Sequence, residues 1–476
     1  MSLNLAIKLT MSNNSVTLSQ VVNTVESTGC IIGDIDLISS SASYSIRELV
    51  VTLRNDKLVE ELVNALTEIP GVQVNSVVDR VLMKHVGGKI EVSPKYPVQR
   101  QDDLSVIYTP GVAGVSKVIA GDPDLAYSFT MKNNTVAIVT DGTAVLGLGN
   151  IGPEAALPVM EGKSVLFKKF AGIDAIPVCL NVHEPQQIID VVAAIAPAFG
   201  GINLEDISAP RCFEIEAKLS EILDIPVFHD DQHGTAIVVL AGLINALKVV
   251  NKRITDVKLV ICGAGAAGVA ITKILLDAGA RHIVVCDRDG ALARDNLQQA
   301  SSMRWVAEHT NEQCVHGSVK DVIEGADVFI GVSGPGVLNR DDVTKMAEHP
   351  VVFALANPDP EIVPEEIYDI AAVIATGRSD YPNQINNALV FPGIFRGALD
   401  CHAKEINEQM YLAAANTLAN LIPVDQLNKE NIIPSLFNQD VVSVMAKAII
   451  GEAKSTGVVK NIAAQRCGGI VVKYGN

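Results

Sequence analysis

The chain has little with which to grip a polyanion. Lys and Arg number 37 against 54 Asp and Glu, a formal net charge of −17, and no basic cluster interrupts that balance. Neither nucleic acid nor an anionic membrane is therefore expected as a partner. Aromatic residues are scarce, at 4% with a single Trp, which leaves Ala, Val, Ile and Gly to build the interior. The eight cysteines, at positions 30, 179, 212, 262, 286, 314, 401 and 467, include no Cys-x-x-Cys pair. That spacing fits reduced buried thiols better than a disulfide frame or a zinc ribbon. No signal peptide opens the chain. Its longest apolar stretch, residues 259–280, is broken by glycines and carries Lys273 and Asp277, so no membrane span is expected. Together these absences point to a soluble cytoplasmic protein, globular at 48% hydrophobic and 19% charged residues.

A chain of 476 residues is too long for one core and divides into two or three domains. Residues 1–92 read as a separate small unit. A strand at 5–9 precedes a helix spaced by Leu18, Val21, Val22 and Val25. Two strand-like runs follow, beginning at Gly29 and spanning 44–52. Asp56 is placed to cap a helix carrying Leu58, Leu62, Val63 and Leu66, which Pro70-Gly71 ends before a strand at 72–78. The order is βαββαβ, ferredoxin-like, and it resembles the ACT domain. That resemblance implies a regulatory unit binding a small-molecule effector, often an amino acid, between paired copies. Asn13-Asn14-Ser15 stands where ACT ligand sites often have a glycine, and a dimerising unit without ligand explains the same order.

After a linker-like stretch from Gly87-Gly88 to Pro97, apolar strands alternate with helical patterns over residues 136–375. The fold class is thus α/β with parallel sheets. Strand candidates are 136–140, 175–180, 225–228 and 257–262. Helical patterns at 410–421 and 441–450 suit packing back on an earlier domain. Gly263-Ala264-Gly265-Ala266-Ala267-Gly268 follows a strand and opens a helix, so its amides and glycines suit a dinucleotide pyrophosphate. About twenty residues on, Asp287 ends a second strand, where a ribose-binding acid belongs. Asp287 favours NAD, while Arg288 beside it suits the 2′-phosphate of NADP; the repulsion between that phosphate and the acid tips the reading towards NAD.

Two acidic pairs, Glu205-Asp206 and Asp230-Asp231, end apolar runs. Buried unpaired anions are costly there, but carboxylates converging on Mg²⁺ or Mn²⁺ are not. A metal beside a nicotinamide points to oxidation of a hydroxy acid. Further unusual segments are Tyr108-Thr-Pro-Gly111, Thr140-Asp-Gly142 with Leu146-Gly-Leu-Gly149, Gly162-Lys163, His229-Asp-Asp-Gln-His-Gly-Thr235, Asn357-Pro358, and Asn386-Asn387 with Phe391-Pro-Gly393.

In this order, the set resembles the malic enzymes over residues 96–476. The resemblance implies oxidative decarboxylation of L-malate to pyruvate and CO₂ with NAD or NADP and Mg²⁺ or Mn²⁺, in a homodimer or larger homo-oligomer. It implies Glu205, Asp206 and Asp231 as metal ligands, with Asp230 beside them. Lys163 becomes the general base, its pKa lowered by burial and the dication, and Tyr108 the general acid. Asn357 and Asn387 hold malate, and Asn357 also borders the cofactor. The implied domains are 1–92, a substrate domain at 93–229 and 388–476, and a Rossmann domain at 230–387. Animal and plant members have a carboxylate-gripping arginine after Thr-Asp-Gly, where this chain has Ala144; either Lys168 or Lys169 substitutes for it, or both are solvated surface charges. Three other readings compete: zinc held by His229 and His233, malolactic chemistry with bound NAD, and a non-enzymatic amino-acid sensor.

Overall fold

Leu5, Ile7, Leu9 and Met11 alternate along the first strand and are all buried, because successive side chains of a strand point to opposite faces. The computed structural model describes residues 3–53, 55–145, 147–295 and 301–460. Leu146, Cys467 and residues 461–476 of the expected substrate domain lie outside the described residues. The chain forms two units, Met1–Ser93 and Pro94–Asn476.

In the first unit, strands β1 (Leu3–Ser12), β2 (Ile31–Ser40), β3 (Tyr44–Leu53) and β4 (Val72–Asp79) form one sheet in the order β2-β3-β1-β4. All its pairs are antiparallel. Helices Leu18–Ser27 and Lys57–Thr67 bury Val21, Val25, Leu62 and Leu66, so the βαββαβ order is observed. Thr17 and Gln20 cap the first helix reciprocally. Asp56, expected to cap the second, makes no side-chain cap bond, since its own backbone is already helical at φ −67°, ψ −26°. A short helix not foreseen in the sequence, Arg80–His85, starts where Asp79 accepts from the amides of Val81 and Leu82.

The second unit carries two largely parallel sheets. Strands β5 (Thr135–Thr140), β6 (Asp174–Cys179), β7 (Gly201–Leu204) and β8 (Val227–His229) lie in the order β6-β5-β7-β8. β5 and β7 are buried throughout, as strands covered on both faces must be. β8 begins later than the apolar run at 225, because Pro226 has no N–H for the ladder.

Strands β9 (Lys258–Cys262), β10 (His282–Asp287), β11 (Gly290–Ala291), β12 (Val328–Gly331), β13 (Val351–Ala354) and β14 (Val373–Thr376) form the other sheet, ordered β11-β10-β9-β12-β13-β14. Only the β10–β11 pair is antiparallel among them. The crossovers leave β9 in opposite directions, to β10 on one side and β12 on the other. A crevice for a ligand therefore opens at their carboxyl ends.

The almost wholly buried helix Thr235–Val249 packs against helices Ala266–Asp277 and Glu408–Asn420. Asn245 Nδ2 fixes that packing by donating to the carbonyls of Ala419 and Ile432. Helix Phe391–Asp400 returns to the β5–β8 sheet, where Phe391 and Phe395 meet Phe167 at ring-centroid distances of 4.6 and 5.5 Å. Among the described residues, segments 101–121 and 230–249 meet a membrane span's length and apolarity. The second is mostly buried within the protein. The first is broken at Tyr108 into helices Gln101–Ile107 and Val112–Gly121, each too short to span.

Candidate active site

β7 and β8 are parallel neighbours with Leu204 level with His229, so the acidic pairs that follow them leave the sheet side by side. One carboxylate oxygen each from Glu205, Asp206 and Asp231 lies within 4.8 Å of the others. Asp206 adopts a left-handed backbone, φ 52°, which a short polar side chain tolerates better than most. Its amide donates to Asp231 Oδ2 at 2.8 Å, and its carbonyl accepts from Ala144 N at 3.0 Å. The two acidic loops and the Thr140-Asp-Gly loop are thereby tied together.

Asp230 lies apart from that three-oxygen cluster and faces Lys163. The ammonium of Lys163 projects from helix Pro153–Ala171 and bonds both Asp230 and Glu205. It sits 4.5 Å from the Phe391 ring centroid, a favourable cation–π placement. Asn203 Nδ2 donates to Glu205 Oε2 at 3.0 Å. Burial, opposed by Lys163, pushes Glu205 and Asp230 up to about 7. Asp231 rises to about 6, again through burial, although its side chain keeps 30% exposure.

For Lys163, burial lowers the pKa, but Asp230, Glu205 and Asp231 outweigh it and hold the ammonium above the ordinary lysine range. The lowering expected from the sequence supposes a dication beside the amine as well as burial. Burial alone acts in the expected direction, and three carboxylates not shared with a cation reverse it.

Gly234 shows how tightly the site is built. A Cβ there would stand 1.8 Å from Asp230 Oδ1 and 3.2 Å from Asn387 Cβ, which places Asn387 against the acidic turn. Asn357 lies against the exit of β5. A Cβ on Gly147 would meet its carbonyl oxygen at 2.6 Å, and one on Gly377 its Nδ2 at 2.5 Å. The glycine-rich exit of β5 therefore packs on the loop after β13.

In the dinucleotide motif, Gly263 has φ +118° and a Cβ there would lie 2.5 Å from Val332 O, while one on Gly268 would lie 1.8 Å from Gly263 O. At Gly265 a Cβ would meet nothing within 4 Å. The helix Ala266–Asp277 starts there without a side-chain cap, leaving amides for an anion. Asp287 ends β10 and accepts from Asp289 N at 2.8 Å; Arg288 is exposed.

Other expectations fare differently. Tyr108 is 66% exposed at the end of helix Gln101–Ile107, so one chain does not bury it with Lys163. Lys168 pairs with Asp174 at 2.7 Å on the surface and Lys169 is exposed. The zinc reading fails on geometry. His229 ends strand β8 and His233 lies on the π-helical turn after it, so the two do not share one α-helical face. His233 Nε2 is 2.9 Å from the Glu216 carboxylate, and burial drives His229 down to about 4, where it is neutral. The sequence reading missed Asn203, Arg211 and Glu216. Their only signal was a polar residue inside an apolar strand and two charges on the helix just after Glu205-Asp206.

Comparison with known proteins accords with this arrangement. The malic enzyme N-terminal domain family matches residues 87–220, and the malic enzyme NAD-binding domain family matches residues 232–454. The NAD-dependent malic enzyme of Geobacillus stearothermophilus is 56% identical over 459 residues, 96% of either chain. The bifunctional malic/malolactic enzyme of Bacillus subtilis (strain 168) is 53% identical, covering 78% of this chain and 92% of its own. The crystal structure of NAD-dependent malic enzyme from Thermotoga maritima is similar at TM-score 0.76 and 47% identity, covering 79% of this chain and 99% of that one.

The acidic cluster has a pH signature. Its folded-state pKa values, about 7 for Glu205 and Asp230 and about 6 for Asp231, exceed those of unfolded carboxylates near 4. The unfolded chain thus releases these protons first, and without divalent cation their contribution to stability is lost as pH rises through that interval. Protons and cation compete for the same oxygens. The Mn²⁺-induced rise in melting temperature should therefore grow from about pH 5 to about pH 7.5. A thermal-shift titration with and without Mn²⁺ checks this; a rise independent of pH places cation binding away from these carboxylates.

Proposed function

The chain belongs to the malic enzyme family, and from that premise we infer that it oxidatively decarboxylates malate to pyruvate and CO₂ while reducing NAD or NADP. The observation that carries this reading is the three-oxygen cluster of Glu205, Asp206 and Asp231 beside a buried lysine. Those oxygens are hard donors suited to Mg²⁺ or Mn²⁺. Bound there, the cation supplies Lewis acidity and the nicotinamide supplies a hydride acceptor.

The chain's own residues handle protons and position. Lys163 takes the proton of the malate hydroxyl. It is charged while Glu205 and Asp231 lie unneutralised; sharing their charge with a cation removes two of the three carboxylates that hold its proton and strengthens the pull of burial towards the neutral amine. Asp230 remains to orient it. Asn387 and Asn357 hold the substrate, each by a side-chain amide able to donate and accept. Tyr108 delivers the proton to C3 of the enolate.

Removing divalent cation should abolish malate-dependent NAD(P)H formation, and Asp231→Ala should do the same with the fold retained by circular dichroism. Undiminished turnover in chelator, or by that variant, would sink the assignment. Accumulation of lactate without net NAD(P)H would instead favour malolactic chemistry, the second activity in the name of the Bacillus subtilis relative.

Tyr108 calls for a second copy. Helices Gln101–Ile107 and Val112–Gly121 bury none of their residues, yet present Leu104, Val106, Ile107, Val112 and Val115. An apolar face of that kind marks an interface. In our reading the protein is a homodimer in which each chain lends Tyr108 to its partner. Tyr108→Phe and Lys163→Ala proteins should each be nearly inactive. Subunit exchange between them should restore up to about a quarter of wild-type turnover, one intact site in half of the dimers. No recovery after verified exchange means that each site takes both residues from one chain.

For the cofactor, Asp287 can accept from both ribose hydroxyls but repels a 2′-phosphate, so NAD is favoured. Asp287→Ser should raise the NADP-to-NAD ratio of kcat/KM; an unchanged ratio removes Asp287 from cofactor choice. The N-terminal βαββαβ unit is the proposed seat of a small-molecule effector, which acts only by binding two conformations unequally.

A further inference from the structure

Helix Arg211–Ile222 begins five residues after Asp206 and carries two half-buried charges that the chemistry above leaves unused. Arg211 reaches the first turn of the β5 loop: its guanidinium bonds Asp141, Thr143 and the His183 carbonyl, and its Nε donates to Ser208 Oγ at 3.0 Å. Thr143 is held from two further sides, donating to Asp141 Oδ1 at 2.7 Å and accepting from Ser208 N at 3.0 Å. The next residue, Ala144, holds the Asp206 carbonyl through its amide. The guanidinium is thus consumed by the protein, so it does not replace the arginine missing at Ala144. It fixes the loop from which Asp206 is suspended.

Glu216 does the same for the other acidic loop. Its carboxylate accepts from His229 N at 2.9 Å and Gln232 Nε2 at 3.1 Å, and stands 2.9 Å from His233 Nε2. These three partners bracket Asp230 and Asp231 on both sides. The turn they flank is π-helical, residues Asp230–Gly234, a rare geometry found mostly as single turns and often at functional sites. His233 is locked from its other face by stacking on Tyr411, centroids 4.6 Å apart and planes at 20°.

We propose that helix Arg211–Ile222 is the template of the cation site, with Arg211 and Glu216 as positioning residues that set the separation of Asp206 and Asp231 without contacting the ion. This inference rests on the cation reading above and deepens it. Outer partners of metal ligands are worth about 10–100-fold in metal affinity.

The test measures Mn²⁺ binding to the metal-free full-length protein by electron paramagnetic resonance and calorimetry, alongside melting temperature and NADH binding. Glu216→Ala should raise the Mn²⁺ Kd about 10–100-fold with NADH affinity unchanged. Glu216→Gln should bind nearly as wild type: its amide oxygen still accepts from His229 N, and Gln232 and His233 can each turn an acceptor to its NH₂. Arg211→Lys keeps the charge but loses the planar fork, and should weaken Mn²⁺ while leaving NADH binding intact.

Wild-type affinity in both Glu216→Ala and Arg211→Lys overturns the proposal. So does equal weakening by Glu216→Gln and Glu216→Ala, which would make charge rather than placement the cause. If Glu216→Ala does not fold, Arg211→Lys and Glu216→Gln decide by the same outcomes. Absence of Mn²⁺ binding to wild type would instead remove the cation reading itself.

Discussion

Four carboxylates at the ends of two adjacent strands crowd around one buried ammonium that bonds two of them, and the catalytic unit is organised around that imbalance. Two like charges about 4 Å apart repel by about 4 kcal/mol at an effective dielectric near 20. Lys163 can offset only part of the sum. The remainder is met by protons, which is why Glu205 and Asp230 hold theirs up to about pH 7, or by a cation at the oxygens of Glu205, Asp206 and Asp231. Hydrogen bonds from Asn203 and from the Asp206 amide contribute as well. Nothing in a hydrophobic core of this kind would keep such a cluster unless it were put to use, since burying unpaired charge costs several kcal/mol per ion.

Much of this was legible in the chain. Apolar runs such as Val136–Thr140 forecast buried parallel strands, because strands covered on both faces lose their polar alternation. The glycines at 263 and 268 forecast the cofactor turn, and the structure gives their reason in contacts at 2.5 and 1.8 Å that a Cβ would make. The acidic pairs were visible as charges where apolar runs stop. What stayed hidden was tertiary. A Pro shortened β8, and a helical backbone at Asp56 cancelled a cap that composition promised. Lys163 had to be seen among its neighbours before the sign of its shift could be known. Tyr108 was recognisable as a motif, but no pattern in the sequence told that the fold leaves it exposed.

The glycines divide by the same rule. Those of the dinucleotide turn stand in a spacing that betrays them, whereas Gly234 lies inside a stretch of polar residues and looks ordinary. Its role follows only from Asp230 and Asn387 closing on it from separate loops. Close approach between segments distant in sequence is a property of the fold, and the residues on either side of it carry no local trace.

Asn357 has its carbonyl oxygen against Gly147 and its side-chain amide over Gly377, so it touches the glycine-rich exit of one sheet and the end strand of the other. Asn357 belongs to the second of those sheets through the loop after β13, so its seam with the first sheet is the approach at Gly147. There a side chain on Gly147 would wedge the two strand exits apart, and the absence of a Cβ is what lets them close backbone to backbone.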